Sequence, residues 1–70
     1  MARRYHTLLI RWPEHPELGW CIEFGDYDRN TVLDEQISYA DSGHKRRDLK
    51  IVTTGHGQAA INAAVAKLNA

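Results

Sequence analysis

Apolar residues alternate with polar ones over Tyr5 to Trp12, placing His6, Leu8, Ile10 and Trp12 on one side and Tyr5, Thr7, Leu9 and Arg11 on the other, as a strand requires. Pro13 and Pro16 end that run. A second alternation covers Leu18 to Phe24, with Trp20, Ile22 and Phe24 opposed to Cys21 and Glu23. A short connection containing Pro and Gly separates the two, so they pair as an antiparallel hairpin. From Gly25 to Thr31 the alternation breaks and several helix-cap residues appear, after which Val32, Leu33, Ile37 and Ala40 recur at helical spacing until Gly43. Asp48 to Thr54 reads as a third strand, with Leu49, Ile51 and Thr53 opposite Lys50, Val52 and Thr54. After Gly55-His56-Gly57, the alanine-rich stretch Gln58 to Leu68 carries one apolar stripe, Ile61, Ala64, Val65 and Leu68, and is the strongest helix signal in the chain.

The resulting order is β-β-α-β-α, a single α+β domain spanning residues 1–70. A right-handed crossover through the first helix lays strand three beside strand one and antiparallel to it, giving a three-stranded antiparallel sheet of order 2-1-3. Both helices are expected on one face. The other face is then open, and Leu9, Cys21, Val52 and Tyr5 are its apolar members, a surface for a protein partner or for a homodimer.

Seventy residues bury roughly 60% of the surface of the unfolded chain, so a partner would add stability to a marginal domain. Cys21 is the single cysteine, which favours a reducing cytoplasm over secretion. The amino-terminal stretch has only three consecutive apolar residues between arginines, too few for a signal peptide or a membrane span.

The formal net charge is zero, but the signs are segregated along the chain. Residues 1–13 sum to +3, residues 14–41 to −7 and residues 42–70 to +4. Such a chain can present an acidic face and a basic face at once. On the first helix Asp34, Ser38 and Asp41 align, Glu35 lies alongside, and all are expected to point away from the Leu33, Ile37 and Ala40 stripe. With Asp26, Tyr27 and Asp28 at the helix entry, Asp34 and Glu35 form the candidate acidic docking face.

Candidate chemistry is thin. Asp26, Asp28 and Asn30 match the first three ligand positions of an EF-hand loop, but Thr31 stands where glycine is needed and Ile37 where a bidentate glutamate is needed. These residues read instead as turn and capping groups. The four histidines and Cys21 have no metal-ligand spacing, and Cys21, mid-strand beside aromatics, has no histidine and orienting carboxylate to make it a nucleophile. Gly55-His56-Gly57 could bring backbone amides to an anion at a helix terminus, but has no P-loop lysine. No enzyme, metal or cofactor is therefore expected. Arg3, Arg4, Arg46, Arg47 and Lys50 could meet nucleic-acid phosphates, yet domains that live by such contacts are usually strongly basic and this one has a pI near 6.9. Direct nucleic-acid binding is the secondary reading.

The string Trp20-Cys21-Ile22-Glu23-Phe24-Gly25-Asp26-Tyr27-Asp28, with Val32 and Glu35, then Asp48-Leu49-Lys50-Ile51 and the run Gln58 to Asn69, resembles small uncharacterised proteins encoded in phages and prophages of proteobacteria. The Gly25-Asp26-Tyr27-Asp28 segment is its specific part. The Pro13-Glu14-His15-Pro16 connection departs from the pattern. The resemblance implies no catalytic residue; it implies a setting, the host cytoplasm, in which very small phage proteins bind host proteins, including components of immune nucleases. An inhibitor of a host nucleic-acid-handling or defence complex, such as an anti-CRISPR protein, is the concrete form of that implication.

Overall fold

A computed structural model describes residues 3–70. Three strands, β1 (Arg4–Arg11), β2 (Trp20–Asp26) and β3 (Leu49–Gly55), and two helices, α1 (Arg29–Asp41) and α2 (Gln58–Asn69), follow in the order β1-β2-α1-β3-α2. The sheet is antiparallel throughout, with order β2-β1-β3, as the alternation predicted. Asp28 caps α1 by accepting a hydrogen bond from the Asn30 amide at 2.9 Å. At the other end Gly43 takes a left-handed φ of 107°, which stops the helix where the sequence placed its end.

The central strand carries three consecutive apolar residues, Leu8, Leu9 and Ile10, and all three are fully buried. Adjacent residues of a strand point to opposite faces, so both faces of β1 must be covered. On one face Leu8, Ile10 and Leu49 join Val32 of α1 in a cluster extended by Trp12, Cys21, Phe24, Tyr39, Ala40 and Ile51. On the other face lie Thr7 and Leu9, equally shielded. Ile61, the buried residue of α2, and its half-buried neighbours Ala64, Val65 and Leu68 stand apart from the first cluster and cover this second face. The helices therefore lie on opposite sides of the sheet rather than sharing one side, and the expected open face is closed. A strand apolar on both faces leaves no other arrangement for a helix with an apolar stripe.

α2 is fastened at its far end. The Asn69 carboxamide accepts from the Trp20 amide at 2.7 Å and donates to the Trp20 carbonyl at 3.1 Å, satisfying both backbone groups of a residue on the edge strand. Gly19, at a left-handed φ of 63°, lies under that carboxamide: an added Cβ would stand 2.5 Å from Asn69 Oδ1. Below the sheet, Arg11 Nε donates to buried Asp48 at 3.2 Å, and its Nη2 donates to the Arg47 carbonyl at 3.2 Å. That pair ties the end of β1 to the 3-10 turn Arg46–Asp48 that feeds β3.

Candidate functional site

The pairing of β1 with β2 slips between Leu8, opposite Phe24, and Leu9, opposite Ile22, leaving Glu23 as an extra residue without a partner. This β-bulge reverses the alternation. Phe24 and Cys21 face α1, whereas Ile22 and Trp20 share the face of Leu9 and Arg11. The uniform Trp20, Ile22 and Phe24 side expected from the sequence is thus split in two. The bulge also frees Glu23 to meet α1 at the outer edge of the sheet.

There the Tyr39 hydroxyl donates to Glu23 Oε1 at 2.6 Å. That bond to a carboxylate is the chief reason the Tyr39 phenol is pushed up to about 12, with burial and the negative charges of Glu23 and Glu35 adding to it. Glu23 and Glu35 therefore both act on Tyr39 along the β2 margin of α1. The same margin continues into the turn before the helix, where Asp26 Oδ1 accepts from the Asp28 amide at 2.7 Å and Asp28 caps α1. Asp26 and Asp28 are the turn and capping groups that the sequence implied, and Asp28 remains exposed.

Tyr27 sits between these two aspartates at the same end. Its ring, 39% exposed, meets Tyr5 edge-on at 4.9 Å between centroids and carries the Arg3 guanidinium at 4.2 Å. Tyr5 in turn lies across Gly25, where a Cβ would come within 2.5 Å of its hydroxyl. Only glycine at 25 lets this aromatic step form, which holds Tyr27 in place beside the acidic turn.

Asp26, Tyr27, Asp28 and Glu35 are thus gathered along the β2 edge, with Glu23 and Tyr39 added to them. Asp34 stands apart, exposed on the outer crest of α1. The apolar candidates are scattered. Leu9 is fully buried, Cys21 is half-buried on the α1 side, and Val52 is half-buried on the α2 side. They form no common surface, so neither a partner nor a second copy can use the sheet face for which they were singled out.

Arg3 and Arg29 lie at the acidic end itself, and four other cations collect elsewhere. Lys45, Arg46, Arg47 and Lys50 are exposed around the entry to β3, the edge strand opposite β2. Arg11 and Lys50 approach the Trp20 ring at 4.8 and 6.0 Å. The central strand holds the backbones of the two edge strands about 10 Å apart, although Lys50 reaches across this distance to Trp20, and among the described residues no ion pair joins the two margins. Gly57 caps α2 without a side-chain hydrogen bond. Among the described residues no three His, Cys, Asp or Glu side chains converge as metal ligands, and no helix is long and apolar enough to cross a membrane. Comparison with protein-family models, with curated proteins and with solved structures returns no match to this chain.

Proposed function

We propose that this chain is a non-enzymatic protein-interaction module that docks through its acidic β2 margin, Glu23, Asp26, Asp28 and Glu35 with Tyr27 at the end, onto a basic surface of a partner. The observation that carries this reading is the strand order. Because β1 lies between β2 and β3, the acidic residues are not neutralised by Lys45, Arg46, Arg47 and Lys50 on the far edge. A basic surface of this kind belongs above all to proteins that handle nucleic acid. The concrete form of the proposal is a phage-encoded, cytoplasmic inhibitor of a host nucleic-acid-handling or defence complex, of the anti-CRISPR type, occupying the channel of a nucleic acid. It needs no cofactor.

The competing reading is a small nucleic-acid-binding module built on Arg46, Arg47 and Lys50, favoured by the exposure of those cations together at one edge. Affinity capture from a bacterial host lysate, beside a low-salt mobility-shift titration, separates the two. A nucleic-acid-binding complex retained by the native chain and lost with Glu23→Lys and Glu35→Lys supports the proposal, and its association rate should fall steeply with salt. Tight binding to DNA or RNA that disappears with Arg46→Ala and Arg47→Ala overturns it.

A further inference from the structure

Leu33 and Ile37, one turn apart on α1, do not enter the core beneath the helix. Val32, Tyr39 and Ala40 take that role, and Ile37 remains 51% exposed. Leu33, Gln36, Ile37 and Ala40 instead floor a groove of about 430 Å³ whose far wall is Arg46. At about 100° per residue, the order around the helix runs Gln36, Ala40, Leu33, Ile37, Asp41, Asp34. The groove therefore has a basic bank at Arg46, an apolar floor, and an acidic bank at Asp34 and Asp41. All three charged residues are exposed, and among the described residues none of them has an ion-pair partner.

We propose that this groove is the interface for a second copy of the chain. Two such surfaces facing one another are related by a twofold axis lying in the plane between them. When that axis runs along α1, the acidic bank of each copy falls over Arg46 of the other, and the two Ile37 side chains meet at the centre. When it runs across α1, acid faces acid. Charge therefore selects one arrangement, with the two α1 helices side by side and parallel. The zero net charge of the chain removes the long-range repulsion that would oppose self-association. The helix is about 20 Å long, so the patch sits at the small end of specific interfaces and the dimer is concentration-dependent. Glu23, Asp26, Asp28 and Glu35 lie on the other flank and stay free in it, so the dimer displays two acidic margins.

Sedimentation equilibrium of the intact chain over a wide concentration range tests this. The apparent mass should rise from 8.0 kDa towards twice that value. Ile37→Asp, at a position exposed enough to leave the far-ultraviolet circular dichroism unchanged, should weaken association by at least about a hundredfold, because two isoleucines leave the interface. Arg46→Glu alone should weaken it as well, and adding Asp34→Arg and Asp41→Arg should restore it by exchanging the banks. A monomer at every concentration overturns the proposal. So does a dimer indifferent to Ile37→Asp, or a charge exchange that fails to restore association.

Discussion

Replacing Leu9 with alanine measures how firmly α2 seals the second face of the sheet. Leu9 has no exposed surface, stands opposite Ile22 and Lys50 on the face covered by α2, and is flanked along β1 by two residues committed to the other side. Its truncation removes the transfer free energy of the lost methyl and methylene groups and leaves a cavity in a layer only one helix deep. The sum for a buried leucine is about 2–5 kcal/mol. A domain of this length has about 4–10 kcal/mol in total. Leu9→Ala should therefore take away about a fifth or more of the stability and lower the thermal midpoint by about 8–40 °C. Ile22→Ala is the matched control, because Ile22 faces the same side in register with Leu9 yet is 47% exposed; it should cost less than about 1 kcal/mol. Urea denaturation followed by circular dichroism gives both values. If Leu9→Ala falls within about 1 kcal/mol of Ile22→Ala, α2 does not seal the sheet and the three-layer arrangement is wrong.

The Thr7 hydroxyl is buried without a hydrogen-bond partner, so Thr7→Val, which keeps the shape and removes the polar atom, should raise stability by about 1 kcal/mol in the same denaturation assay. Spectrophotometric titration should show one of the three tyrosines ionising near 12, and Glu23→Gln should bring it down towards 10. Because the folded phenol holds its proton more tightly than the unfolded one, the stability that Tyr39 contributes is complete below about pH 10 and is lost as pH rises from 10 to 12; Glu23→Gln should flatten that decline. Asp28→Ala removes the cap of α1 and should cost about 1 kcal/mol, with faster amide exchange confined to its first turn.

The strands and their order were legible in the sequence from period-two alternation, but β2 lies two residues later than the expected Leu18 to Phe24: Leu18 belongs to a 3-10 turn, and Gly25 stands inside the strand. The end of α1 was legible in Gly43, whereas its cap, Asp28, was one of several candidates between Gly25 and Thr31. The sequence also contained the sign that both sheet faces are covered, the unbroken run Leu8-Leu9-Ile10, but strict alternation on its own assigns Leu9 to an open face. The bulge at Glu23 left no such sign: no glycine stands there, and the side to which each β2 residue turns depends on pairing with a distant strand. From this one slip come the separation of Trp20 and Ile22 from Phe24 and the meeting of Glu23 with Tyr39. On α1 the apolar residues were read as a single inward stripe. Tyr39 took the inward position through its bond to Glu23, and Ile37 was left on the surface. The acidic margin was legible in outline from charge segregation alone, whereas its two members Glu23 and Tyr39 needed tertiary structure.

The clamp between Asn69 and Trp20 bears on the order in which the layers of the fold can close. Residues 4–55 contain all three strands and α1, so the sheet and its first layer can pair before α2 docks. The face bearing Thr7 and Leu9 stays wet until residues 58–69 dock and Asn69 reaches across to residue 20. A chain caught before α2 docks carries bare leucine on a sheet with two unpaired edges, the species most prone to aggregate or to recruit a chaperone.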